Sequence, residues 1–203
     1  MAIKNMIFDM GNVLLHYEPH KYIETLGITD EKEKKKIFNA MYLRKESANL
    51  DRGDFDDAAY IDIVCKELGE KYRPHIKKLL YHWADKVDAM DGMVDLIKDL
   101  KAKGYKIYLL SNASLLQHEY WLRVPGHDLF DGTLVSCDVR HIKPEKEIYM
   151  SLYEKFNIKP EECYFIDDLI INIYGARETG MDGFVFRGDA DDLREHLKSI
   201  GIL

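Results

Sequence analysis

The sequence is poor in everything that would tie it to an oxidising compartment, a bilayer or a polyanion. Only three cysteines occur in 203 residues, Cys65, Cys137 and Cys163. An odd number without metal-ligand spacing excludes a disulfide framework and points to a reducing setting. No apolar run nears the roughly 20 residues that cross a bilayer. The eight histidines contain no HExxH pair, so that zinc pattern is absent. Prolines number five, and no low-complexity linker or internal repeat appears. Basic residues are the minority: 29 Lys and Arg face 36 Asp and Glu, for a formal net charge of −7. That balance argues against a general nucleic-acid surface. It does not exclude a small anionic substrate, because the local field decides binding. The first residues run straight into a strand and leave no room for a signal peptide. The expectation is a cytoplasmic protein with neither membrane nor nucleic acid as partner.

What the chain does have is alternation. From about Asp91 onward, short apolar strands alternate with amphipathic helices, the pattern of a parallel sheet. The strands are "KIYLLS" (106–111), "GTLVS" (132–136), "CYFID" (163–167) and "GFVF" (183–186). Met93, Leu96, Ile97 and Leu100 mark one helical face, with Gly104 as its stop. Ile148, Leu152 and Phe156 mark another. A last helix opens at "DADD" and buries Leu193, Leu197 and Ile200. Residues 16–90 differ, reading as helices without strands. Thr29 or Asp30 caps one that buries Ile37, Phe38 and Met41. Phe55, Ala58, Ala59 and Leu68 lie on a second, ended by Gly69, and Ile76, Leu79, Leu80 and Trp83 on a third. The mixed-sign run "DEKEKKK" is a solvated face. The strand at Ile7-Phe8 belongs with the later sheet. The expected architecture is therefore an α/β core of residues 1–15 and 91–203, with residues 16–90 inserted as a helical module.

Four stretches stand where strands end: Asp9 to Val13 in "IFDMGNVLL" (7–15), Ser111-Asn112 in "LLSNAS", Lys143-Pro144, and Asp167-Asp168 in "FIDDLIINI". A doubly wound sheet gathers such ends at one carboxyl edge. Asp9, Asp167 and Asp168 cannot all stay ionised a few ångströms apart without a cation. Lys143 neutralises one charge, and Mg²⁺ suits the rest, since it prefers carboxylate and carbonyl oxygens. Ser111 and the backbone N–H groups near Asn112, read as a helix start, can hold phosphate oxygens. Asp9 is then a nucleophile that forms an aspartyl-phosphate. Singly, each piece has an ordinary reading as a turn, a cap or a helix boundary. Their ordered recurrence at strand ends does not.

The set "FDMGNVL", "LLSNA", "KP" and "FIDD…N", with a helical insertion between the first two, resembles the haloacid dehalogenase superfamily of hydrolases. The "DxGNV" start, "LDRGDF" (50–55) and "KPEKEIY" (143–149) are most similar to the helical-cap phosphatase branch that includes bacterial glucose-1-phosphate phosphatase. The resemblance implies a Rossmann-like core and a helical cap. It also implies Asp9 as nucleophile and metal ligand, and Ser111, Asn112 and Lys143 around the phosphate. Asp168 becomes the direct Mg²⁺ ligand with Asp167 behind it, and Gly11 contributes its backbone carbonyl.

One position departs from the family. Where the family usually carries a second Asp, acting as general acid and base, this chain has Gly11. Such help is typically worth about 10²–10⁴-fold, so its loss slows an enzyme without abolishing it. His16 and Glu18, just past the motif, are the nearest side chains able to carry a proton, although hinge or surface positions suit them too. Arg44 and Arg52 are cap candidates for substrate contact, with solvent exposure as the simpler reading of each. Without a replacement acid, turnover should fall steeply as the leaving alcohol becomes more basic. The expected function is a Mg²⁺-dependent phosphatase of a small phosphorylated metabolite, a sugar phosphate for instance. Two alternatives stand beside it. A metal-independent 2-haloacid dehalogenase is opposed by the acid pair. A phosphate- or partner-binding protein without turnover is supported by Gly11 alone.

Overall fold

Five short apolar runs assemble into one parallel sheet in a computed structural model that describes residues 2–203. The strands are β1 (Asn5–Phe8), β2 (Lys106–Ser111), β3 (Gly132–Val135), β4 (Cys163–Asp167) and β5 (Asp182–Val185). Their spatial order is β3-β2-β1-β4-β5. Strands covered on both faces read as continuous apolar runs, and β1 and β4 are buried at every position. Alternate side chains of β1 serve opposite faces. Met6 and Phe8 join a cluster with Leu96, Leu100, Leu193 and Leu197. Ile7 joins another with Ile148, Leu152, Phe165 and Ile173.

The helices supplying those clusters are α6 (Met93–Ala102), α9 (Lys146–Phe156), α10 (Ile170–Glu178) and α11 (Ala190–Ser199). Between β1 and α6 lie α1 (Pro19–Glu24), α2 (Glu31–Tyr42), α3 (Lys45–Arg52), α4 (Asp57–Leu68) and α5 (Arg73–Tyr81). Two short helices, α7 (Gln117–Tyr120) and α8 (Ser136–Val139), follow β2 and β3. The first five helices share their own apolar cluster, including Ile37, Met41, Tyr60, Val64 and Ile76. The chain leaves and re-enters the sheet side by side. The His16 N–H donates to the Asp88 carbonyl (2.8 Å) and the Met90 N–H to that of Leu14 (2.9 Å).

Several expectations shift. Ser136 leaves the strand to start α8, and the last strand sits one residue earlier than "GFVF". Val13 and Leu14 are buried in the turn after β1, and Leu15, also buried, bridges to Gly11 and Ala89. Asp30 is the cap of α2, its carboxylate accepting from the Lys32 N–H. Phe55 precedes α4, and Trp83 lies in a 3-10 turn after α5. Ile200 follows α11 and is 47% exposed, because the helix ends before its face turns inward again. Helices α1 and α3 were not expected. Each is short and buries one apolar residue, Ile23 or Leu50, too few to show a period.

Candidate active site

The winding direction of the sheet reverses at β1, and α/β proteins bind ligands at the carboxyl ends flanking such a point. Phe8 pairs with Ile166, so the next residues, Asp9 and Asp167, lie side by side. The Asp9 N–H donates to the Ile166 carbonyl at 2.9 Å. Lys143 stands between the two acids, its Nζ 2.7 Å from Asp9 Oδ1 and 2.7 Å from Asp167 Oδ2. Carboxylate oxygens of Asp9, Asp167 and Asp168 come within 4.8 Å of one another.

These acids are not equivalent. Asp167 is fully buried. Besides Lys143 it accepts from the Leu169 N–H (2.8 Å) and from Asn172 Nδ2 (2.9 and 3.1 Å). Both its oxygens are committed. Asp168 lines the cavity and accepts from Asn12 Nδ2 at 3.2 Å. Burial raises its carboxyl above the usual range. Asn12 holds a left-handed backbone (φ 54°), a conformation asparagine tolerates, and accepts in turn from the Tyr17 N–H. Burial pushes Asp9 up to about 7, with Lys143 opposing and Asp167 adding to the rise. The Lys143 ammonium is itself disfavoured by burial, but Asp167 and Asp9 more than compensate and raise its pKa.

The net count is three carboxylates against one buried ammonium. A divalent cation fits that surplus, and oxygen-only donors suit Mg²⁺. The oxygens left for it are on Asp9 and Asp168 and the carbonyl of Gly11, all three residues lining one cavity.

That cavity measures about 360 Å³, the size of a small-ligand site. Its lining includes Asp9, Gly11, Ser111, Asn112, Lys143 and Asp168 together with Tyr17, Met41, Tyr42, Asp51, Leu80 and Trp83 from residues 16–90. All the sequence-derived site residues therefore meet in one place. Asn112 reaches it differently from expected. No helix starts there, since α7 begins at Gln117. The Asn112 side chain instead clasps the Lys143 backbone, donating to its carbonyl (3.0 Å) and accepting from its N–H (2.8 Å). The next N–H, of Ala113, is taken by Ser136 Oγ (2.9 Å).

The secondary candidates stay outside. His16 and Glu18 do not line the cavity, and Glu18 pairs with Lys21. Arg44 binds Glu46 and Glu67. Arg52 is not simply solvated: it holds Glu145 through two bonds of 2.7 and 2.6 Å. Sequence reasoning quoted Asp51 only within "LDRGDF" and gave it no role, missed Ser136, and treated Asn12 only as part of a motif.

Comparison with known proteins identifies the family. The family model for haloacid dehalogenase-like hydrolases matches residues 3–180. Flavin mononucleotide hydrolase 1 from Arabidopsis thaliana is 30% identical over 113 residues, 56% of this chain and 46% of that protein. The chain thus spans about half the length of that relative. D-ribitol-5-phosphate phosphatase from Bacteroides thetaiotaomicron is 26% identical over 93% of this chain and 94% of its own. A solved structure of a haloacid dehalogenase family enzyme from the same bacterium, in complex with magnesium and inorganic phosphate, superposes with a TM-score of 0.73. It is 24% identical and covers 95% of this chain and 99% of that one.

Proposed function

The chain belongs to the haloacid dehalogenase-like hydrolase family, and we propose that it is a Mg²⁺-dependent phosphatase of small phosphorylated metabolites, working through an aspartyl-phosphate on Asp9. The observation that carries the reading is the triad of acids within 4.8 Å around a single buried lysine. Asp9, Asp168 and the Gly11 carbonyl would hold Mg²⁺, which when bound supplies positive charge to phosphoryl oxygens. A carboxylate oxygen of Asp9 attacks phosphorus. Lys143 fixes the direction of that carboxylate and compensates charge on the phosphoryl group. Ser111 and the Asn112 N–H line the floor where phosphoryl oxygens would rest.

Residues 1–15 and 91–203 form the core in this reading, and residues 16–90 a cap that closes the cavity. The separate apolar cluster of α1–α5 and the paired connecting segments support that division. The aromatic and aliphatic cap wall favours an organic group with an apolar face. Flavin mononucleotide and ribitol 5-phosphate, the substrates named for the two relatives, are both phosphate monoesters.

Phosphate release from a panel of phosphorylated metabolites, with Mg²⁺ and with excess chelator, tests the reading. Release should require the metal and vanish in Asp9→Asn. Chelator-resistant halide release from a 2-haloacid, without phosphate release, would establish the dehalogenase instead.

A further inference from the structure

We propose that Asp51, on the cap helix α3, is the acid that protonates the leaving oxygen and then accepts a proton from the attacking water. It thereby does the work that Gly11 cannot. The inference rests on the phosphatase reading above.

Elimination within the cavity is the first support. Its wall contains three carboxylic acids, Asp9, Asp51 and Asp168, and neither histidine nor glutamate. Asp9 is the nucleophile and Asp168 faces the metal position. Asp51 is the one acid without an assigned task, and it is contributed to the cavity by helix α3.

Its placement is the second. The Asp51 carbonyl accepts from the Ser136 hydroxyl, whose oxygen also accepts the Ala113 N–H at 2.9 Å. One side chain therefore links Asp51 to the loop carrying Ser111 and Asn112. Arg52 is strapped to Glu145, two residues beyond Lys143. Gly53 is left-handed (φ +80°) and lies so close to α8 that a Cβ there would sit 2.8 Å from the Cys137 carbonyl. Three successive cap residues are thus held against the catalytic edge, and a proton carrier needs such fixed placement.

The surroundings of the carboxyl complete the case. Tyr17, Asp57, Tyr60, Tyr120 and Cys137 are the titratable groups around it, and none is a cation. Burial, followed by the like charge of Asp57, pushes Asp51 up to about 7. A carboxyl in that range holds a proton near neutrality and can release it to an alkoxide. The phenol of Tyr120 lies within the fields of both Asp51 and Asp9, yet burial drives it far above its ordinary value and makes it a poorer donor.

The steps balance. As an Asp9 oxygen bonds to phosphorus, the ester P–O bond breaks, and the departing oxygen takes the Asp51 proton to leave as an alcohol. Water then bonds to phosphorus while the bond to Asp9 breaks, its electron pair returning to the carboxylate. Asp51 takes the proton that the water loses. The cycle ends with both acids restored and phosphate free.

The test is kcat/KM across phosphate esters of graded leaving-group basicity, from nitrophenyl to primary alkyl, in the presence of Mg²⁺. The native enzyme should give a nearly flat series, against the steep one expected from Gly11 alone. Asp51→Asn should lose about 10²–10⁴-fold on alkyl esters and much less on the nitrophenyl ester. Adding Gly11→Asp to that variant should flatten the series again. There is room for it, since the backbone at Gly11 is not left-handed and the nearest atom to an added Cβ is Tyr17 Cβ at 3.4 Å. An equal fall on every ester in Asp51→Asn would overturn the assignment and leave the phosphatase standing. A steep native series would overturn it without any variant, should Asp51→Asn fail to fold. Absence of release from any ester by the native enzyme would instead overturn the phosphatase reading itself.

Discussion

Lys143 is 4% exposed and touches two carboxylates at 2.7 Å each. Its removal strands both acids in a dry site. Breaking a buried charge pair costs about 3–5 kcal/mol, because the surviving charge loses its partner. Lys143→Ala should therefore unfold at much lower denaturant and lose at least about 10²-fold in kcat. Lys143→Arg should recover little of either, since a planar fork does not fit between two acids spaced for an ammonium. Near-native urea midpoint and turnover in Lys143→Ala would refute this account. Asp9→Asn makes the complementary prediction. The amide matches the carboxylate in shape, so phosphate release should disappear while the far-ultraviolet dichroism is retained. Asp9 was readable as strand-end chemistry, whereas Lys143, expected at a strand end, lies in the loop between α8 and α9. The role of Asp51 was not readable, because it depends on which residues folding brings around one cavity.

At the scale of elements, α3 packs against α8, and an added Cβ at Gly53 would lie 2.8 Å from the Cys137 carbonyl. Alanine there meets both a positive φ and a backbone carbonyl. The backbone strain alone is worth about 1–2 kcal/mol. Gly53→Ala should lower the thermal midpoint and, by tilting the end of α3, reduce kcat on alkyl esters more than on aryl ones. Unchanged kinetics would separate this contact from catalysis. The strands β2 and β3 have their own pin in Asp131, which is bonded by Lys101, Lys106 and the Ile107 N–H. Burial works to raise its carboxyl, but those bonds outweigh it and hold the pKa at about 2. A lowered folded pKa stabilises above the unfolded value, near 4, and the gain fades as pH falls towards 2. Asp131→Asn should thus cost about 2 kcal/mol at neutral pH. Urea titrations at several pH values should show the gap narrowing below about pH 4. A gap independent of pH would assign the loss to packing.

For the whole molecule, the surplus of two negative charges at the sheet edge opposes folding until a cation neutralises it. A ligand that binds only the folded state stabilises by about 2.7 kcal/mol at a hundredfold excess over its Kd. Mg²⁺ should therefore raise the thermal midpoint by on the order of 5–10 °C, and chelator should reverse the rise. Asp168→Asn should abolish most of the shift, whereas Asp51→Asn should preserve it. That contrast separates the metal position from the proton carrier without any substrate. An unshifted melt at saturating Mg²⁺ would contradict the charge count.

The parallel sheet, the helices between β1 and β2 and three of the four expected strand-end stretches were legible in the linear order, Lys143 lying after α8 instead, for one physical reason. Period-two and period-3.6 burial, and the turn chemistry that punctuates them, are local properties. They fail where the signal is short: α1 and α3 bury one residue apiece, and the residues after Ser111 form a loop instead of a helix. Contacts across the chain carry no local period at all. Arg52 meets Glu145, Ser136 meets Asp51, and Asn112 clasps the Lys143 backbone, across separations of 93, 85 and 31 residues. Gly11 could be read from the sequence as a missing acid. Only the tertiary structure decides that Asp51 lines the same cavity as Gly11, because a side chain's work there depends on what folding sets around it.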